Sequence, residues 1–346
     1  MKVLYIKSDI VRNYAKNRKW RQVISAYLNR NILIGQNGFF EGALNSTFNV
    51  TERSWLSLEK IPKSFFRTYD VIVINQKSLI PEEKVKELAD YTASIPIIYF
   101  ASGAKVEKLP SNEILDYYNL IFKREPYKDL DQYEHLTPAN REKIRPTMLS
   151  CPLINIKKGE AKSFTLKPFR DLSRTDHKYD VSFAGKGTSR QRYNICNALS
   201  QMEQLNSYLS VFNPRKGAAP PYISPNIGTA GLKRMDYAKL IQESKINLAL
   251  KGIGQFTHRH LELWYLGAFM LSDPFIREIQ LPHGIPLENI HYTVFENEKD
   301  LTEKIDYYLH NETERIRIAS AGQEFFKQIY DFKKHGRYIR ECIDSL

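Results

Sequence analysis

The chain has 346 residues, 42% hydrophobic and 26% charged, and its 51 Lys and Arg against 39 Asp and Glu give a net charge of +12. This composition excludes a disordered chain and gives enough length for roughly two ordinary domains. No run of about 18 uninterrupted apolar residues occurs, so no membrane span is expected, and the positive charge favours nucleotide phosphates, an anionic membrane surface or nucleic acid as partner.

The opening Lys2–Ile6 reads as a first buried strand, too soon charged for a signal-peptide core. Tyr69–Asn75 is a β-branched run of the kind buried on both faces. Pro81 then opens a helix whose Val85, Leu88, Ala89 and Thr92 share one face. Pro96–Phe100 and Asn119–Phe122 are the next strands. Strand and helix in alternation predict a parallel sheet covered by helices.

Between about Ile154 and Lys178 the rhythm lapses into a lysine-rich, polar stretch with Pro168, which reads as an interdomain connection. It then restarts with strand Tyr179–Ala184, helix Arg192–Met202 and strand Leu209–Phe212. Helix Met235–Glu243, strand Lys245–Leu250, helix Arg259–Leu266 and strands Phe269–Ser272 and Tyr292–Phe295 follow. Leu301–Leu309 and Thr313–Tyr330 read as closing helices. The expected domains are therefore 1–153 and 179–330, joined by 154–178, with 331–346 a C-terminal helix that can return to the first. The fold class is α/β, with two strand-first domains facing each other across a cleft at the carboxyl ends of their sheets.

Two loops of the second domain carry the chemistry. In Lys245–Asp273 a buried strand runs into Gly252 and Gly254, and then into a helix starting near Thr257. A helix N-terminus offers unpaired amides and a positive dipole end to a phosphate. Arg259 in its first turn can reach the same anion as a fork, and Glu262, three residues on, shares its face. A carboxylate there is placed to accept hydrogen bonds from ribose hydroxyls. Gly267 ends the helix. The second loop follows Tyr179–Ala184 with Gly185, Lys186, Arg190 and Arg192, a glycine turn with cations opening a helix. It lacks P-loop spacing, which disfavours ATP hydrolysis.

Together these residues resemble glycosyltransferases of the GT-B fold, two Rossmann-like domains facing each other across a cleft. The pattern is nearest the CgeB-like and "glycosyl transferases group 1" C-terminal domain, whose strand, Gly loop, Thr-x-Arg-x-x-Glu and Gly-Ala are matched from Gly252 to Ala268. The later Tyr292–Phe295 strand, Asn311 and Glu314-Arg315 are also similar to that family. A more distant likeness is to the DNA β-glucosyltransferases of T-even phages, in which arginines bind the donor diphosphate and a glutamate the ribose. Those roles fall by motif on Arg192, Arg259 and Glu262. The chain departs from its relatives in two places. Gly254 stands where many retaining GT-B enzymes have the first of two glutamates, and Ala101 and Ser102 stand where the phage enzymes carry an aspartate base.

The resemblance implies transfer of a sugar from a nucleotide-sugar, a UDP-sugar as first choice, with no cofactor and no metal. Arg192, Arg259 and a helix dipole would neutralise the diphosphate instead. A base for direct transfer belongs in the first domain, where Asp9 and Glu125, and after them His135, are candidates. Arg12, Lys16, Arg18, Lys19, Arg21 and Arg30, interleaved with Tyr14, Trp20 and Tyr27, form a basic-aromatic stretch. It suits a lipid-linked glycan at an anionic membrane surface or a DNA backbone, and a solvated helix face is the plain alternative. The leading acceptor is a surface polysaccharide or glycolipid; modified bases of duplex DNA, or a catalytically inactive nucleotide-binding module, are the alternatives. Cys151, Cys196 and Cys342 are widely spaced and read as reduced thiols, which with the strand-like start points to the cytoplasm, with peripheral contact at the inner membrane face.

Overall fold

A computed structural model describes residues 1–7, 33, 36–92, 94–169 and 177–346. Asp9, Arg12, Arg18, Lys19, Trp20 and Arg21 lie outside the described residues.

The first sheet is built from β1 (Lys2–Lys7), β2 (Asn49–Ser54), β3 (Val71–Asn75), β4 (Ile97–Ala101), β5 (Leu120–Arg124) and β6 (Ile144–Thr147), in the order β2-β1-β3-β4-β5-β6. Every pairing is parallel. Parallel strands need both faces covered, and alternation sorts their side chains accordingly. Leu4, Ile6, Ile72, Ile74, Tyr99 and Ile121 fill one face with Val85 and Leu88 of α2 (Glu82–Tyr91). Val3, Tyr5, Val73, Phe100 and Phe122 fill the other, against Phe40 and Leu44 of α1 (Gly38–Thr47).

The edge strands β2 and β6 are absent from the strands expected of the sequence. Neither has the buried run that marks a central strand: β2 is Asn-Val-Thr-Glu-Arg-Ser, and β6 contains Pro146. A proline is tolerated at a sheet edge, where one ladder position is free.

The second sheet holds β7 (Tyr179–Lys186), β8 (Ser207–Phe212), β9 (Ser244–Ala249), β10 (Met270–Ser272) and β11 (Thr293–Val294), ordered β11-β10-β9-β7-β8 and parallel throughout. Around it lie α3 (Arg190–Ser200), α4 (Arg234–Gln242), α5 (His258–Leu266), α6 (Glu298–His310) and α7 (Glu312–Ile329). The strand order reverses between β7 and β9, which makes a crevice at their carboxyl ends.

The last helix, α8 (Phe332–Asp344), packs on the first domain, where Ile339 and Ile343 join the cluster of Val3, Tyr5 and Phe40. Burying Ile339 completely contributes roughly 1.5–3 kcal/mol. Another apolar cluster runs through both domains, joining Phe39, Val106, Met148 and Leu149 to Phe256, Leu261 and Trp264. Backbone bonds from Lys128 N to Glu278 O (2.7 Å) and from Gln280 N to Pro126 O (2.8 Å) add to it. All three cysteines are free and buried. No helix among the described residues is long and apolar enough to cross a membrane.

Candidate donor-binding site

The crevice between β7 and β9 is spanned by two arginines. Arg192, in the first turn of α3, donates from Nη1 to the Lys186 carbonyl (2.7 Å) at the end of β7. From Nη2 and Nε it reaches the Leu250 (2.7 Å) and Lys251 (2.9 Å) carbonyls just past β9. Arg259, in the first turn of α5, does the same one layer deeper, donating to Leu248 O of β9 and to Ser182 O of β7 (3.2 Å). The two guanidinium carbons each lie 5.4 Å from the Phe183 ring, so the cations share one aromatic side chain of β7.

Both arginines are buried, and their hydrogen bonds among the described residues go to carbonyls and to one tyrosine hydroxyl. Burial, then the neighbouring Arg259, brings the Arg192 pKa down to about 10. Two desolvated cations without a carboxylate partner favour an anion between them. The carbonyls engage Nε, one Nη1 and one Nη2 proton of Arg192, which leaves two of its five N–H groups for a ligand.

The loops shape the space these donors face. A Cβ built on Gly252 would lie 3.2 Å from Arg192 Nη2, 3.4 Å from Thr257 Cγ2 and 3.5 Å from Thr188 Oγ1, so the absent side chain keeps a cradle open among them. Thr188 Oγ1 and Ser189 Oγ in the β7–α3 loop, and Gln191 Oε1 in the first turn of α3, are buried and without a hydrogen-bond partner. Orphaned groups of this kind are costly unless a ligand or water completes them. A Cβ built on Gly185 would lie 3.3 Å from Nη1 of the same arginine. Lys186 and Arg190 are exposed at the rim.

Thr257 is the N-cap of α5, and His260 Nδ1 accepts from its backbone N–H (3.1 Å), closing a capping box. Burial drives His260 down to about 3, so the ring is a neutral cap. Gly267 ends α5 in the left-handed region at φ +63°.

Glu262 lies one turn along α5 from Arg259, and its Oε2 accepts from the Tyr237 hydroxyl (2.9 Å). The Tyr237 hydroxyl oxygen in turn accepts from Arg259 Nη1 (3.0 Å). Burial raises Glu262 to about 7, against the opposing pull of Tyr237 and Arg259. Tyr237, in α4, had no mark in the sequence: the contact is made in space, by a lone tyrosine on a helix 22 residues before Arg259. Asp273 was likewise passed over. It is fully buried at the end of β10, accepts from Lys251 N and leaves Oδ1 unpartnered.

On the facing side, Glu125 is committed to structure. Its backbone sits at φ +39°, Arg124 Nε bonds one carboxylate oxygen (3.2 Å), and Leu149 N donates to the other. Buried and ion-paired, it faces its own strand end. His135 is exposed, and Asp9 lies outside the described residues. Ser102, at the end of β4, is buried and bonds Asn75 Oδ1 (3.1 Å). Among the described residues no group of three or more His, Cys, Asp or Glu could hold a metal ion.

Residues 216–340 match the family described as glycosyl transferase-like. No curated protein matches the chain in sequence. Among solved structures, it is similar over 100% of both chains to Anabaena Alr3699/HepE in complex with UDP (11% identity, TM-score 0.59). It is similar over 99% of its length to T4 phage BGT in complex with its UDP-glucose substrate (100% of that chain, 16% identity, TM-score 0.53). An α-glucosyltransferase in complex with UDP and a 13-mer DNA containing an HMU base is similar over 99% of both chains (14% identity, TM-score 0.55). The chain thus has the GT-B fold of these glycosyltransferases, and its residues 216–340 are similar to the glycosyl transferase-like family.

Proposed function

We propose that this chain transfers a sugar from a UDP-sugar to a glycan acceptor, a surface polysaccharide or a glycolipid, without a metal ion. The observation that carries the reading is the cradle at the β7–β9 crossover, where Gly252 leaves room beside Arg192 Nη2 and the unpartnered Thr188 hydroxyl. A diphosphate there would complete the orphaned groups and neutralise two buried cations. As the sugar leaves, negative charge grows on the diphosphate, and a guanidinium already held in place stabilises that charge with little reorganisation. Glu262 stands one turn of α5 from Arg259, with Tyr237 of α4 bonded to both, and the pair would receive a ribose. UDP is favoured because the similar structures are complexes of UDP and UDP-glucose. A thermal-shift screen of UDP-, GDP-, dTDP- and CMP-sugars in excess EDTA tests this. A shift confined to the UDP-sugars supports the reading, and no shift with any of them removes it.

Duplex DNA is the second acceptor to test. The net charge of +12 favours a polyanion, and one similar structure holds DNA. Transfer to DNA would show log affinity falling steeply with log salt, whereas a neutral glycan acceptor would not.

A further inference from the structure

The first domain buries a lysine where a leucine would cost less. Lys123, in β5, is fully buried and pairs across the sheet with Ala101 of β4, and burial brings its pKa down to about 8. Its ammonium donates to three backbone carbonyls, those of Gly103 (3.3 Å), Lys105 (3.1 Å) and Arg124 (3.2 Å). A buried cation is tolerated when every proton is used, and here all three are. Two of the acceptors belong to one short turn beyond β4, so the ammonium fixes both ends of that turn.

The turn touches the donor loop from the first domain, beside the apolar cluster of Phe256 with Met148 and Leu149 and the contact of His258 Nδ1 with Ser150 O (2.8 Å). A Cβ placed on Gly254 would come within 1.9 Å of the Ala104 carbonyl oxygen, so Ala104 rests directly on the Gly254 backbone. Only glycine permits that approach. Gly254 O accepts from Gly252 N (3.0 Å), which carries the contact to the residue that opens the cradle. Two residues past Ala104, Val106 enters the apolar cluster shared with Phe256 and Leu261. On the other side, Gly103 N is held by Gln76 Oε1 (2.7 Å).

We propose that Lys123 is a positioning residue for the donor site: it latches the turn at Gly103–Lys105 onto Gly254, and so holds the Gly252 cradle from the opposite domain. The residue touches no substrate and acts through the turn. Its kinetic consequence rests on the donor-site reading above; the latch itself does not.

Hydrogen exchange of the full chain without nucleotide tests the latch directly. In Lys123→Met, amides of residues 252–257 are expected to exchange at least tenfold faster, with β4 and β5 protected within about twofold of wild type. Gly254→Ala, which pushes the same contact apart, is expected to loosen the same amides. The double variant should be no looser than the worse single one, because both remove one contact. UDP affinity should fall several-fold in each while the melting transition stays cooperative. Unchanged exchange at 252–257 in folded Lys123→Met, or effects of the two variants that multiply, would overturn the latch. If Lys123→Met does not fold, Lys123→Gln takes its place with the same two outcomes. Loosened amides with no UDP binding even in wild type would leave the latch standing and remove the donor reading.

Discussion

Arg259 and Glu262 meet through one oxygen: the Tyr237 hydroxyl accepts from Arg259 Nη1 at 3.0 Å and donates to Glu262 Oε2 at 2.9 Å. The tyrosine separates a guanidinium from a carboxylate that would otherwise neutralise it. Arg259 keeps its charge for an anion, and Glu262 keeps acceptor capacity for hydroxyls. The Arg-x-x-Glu spacing on α5 therefore depends on a third residue supplied by α4.

Tyr237→Phe should remove that separation. Each lost bond to a charged group is worth roughly 1.5–3 kcal/mol before compensation. Because Arg259 and Glu262 can then collapse onto each other, stability should change by less than this while UDP affinity falls by about tenfold. Calorimetric titration beside a thermal melt checks the split.

Glu262→Gln should reveal the buried carboxylate through pH. Burial raises the Glu262 pKa from 4.5 to about 7, so the folded state holds the proton more tightly than the unfolded one. The stability this contributes is fully present below pH 4.5 and is lost as pH rises through 7. Glutamine has no such dependence, so the variant should gain on wild type across that window, by roughly 3 kcal/mol at most. His258 and His260, lowered by burial to about 4 and about 3, pull the other way. They are common to both proteins and cancel in the difference. Melting temperatures of the pair from pH 5 to pH 8 measure it, and a constant difference would mean that Glu262 ionises freely.

Arg192→Ala should cost both binding and fold. The three carbonyls that Arg192 holds join the ends of β7 and β9, so their loss loosens the crossover as well as the cradle. Leaving buried acceptors unsatisfied costs about 1–3 kcal/mol each where water does not enter. Arg192→Lys should recover little, since an ammonium cannot span the same three acceptors in a plane. Chemical denaturation together with UDP titration separates the two losses. A variant of wild-type stability that fails only in binding would contradict this dual role.

Sugar transfer should persist in excess EDTA at the wild-type rate, with no stimulation by magnesium or manganese. Activity that vanishes with chelator and returns with either ion would contradict diphosphate neutralisation by Arg192 and Arg259.

The second domain was legible because its signals are local. A strand, a glycine loop and a helix cap lie in one run from Lys245 to Gly267, and the structure folds that run as β9, the cradle and α5. What the sequence hid is made by residues distant along the chain. Tyr237 reaches Arg259 from another helix, and Lys123 reaches the donor loop through the turn at Gly103–Lys105. The strands β2 and β6 were missed because edge strands need no continuous apolar run. Glu125 was a candidate base in sequence, and nothing local shows that its backbone turns to φ +39° and points it at Leu149 N.

The donor reading turns on a nucleotide diphosphate bound between Arg192 and Arg259 at the β7–β9 crossover. Calorimetric titration of UDP in excess EDTA into wild type and Arg259→Ala, each shown to fold, tests it most directly. One site per chain is expected in wild type and at least a tenfold loss of affinity in the variant, in keeping with an unpaired diphosphate charge in a partly desolvated site. Equal affinity in the two folded proteins would place the nucleotide away from Arg259.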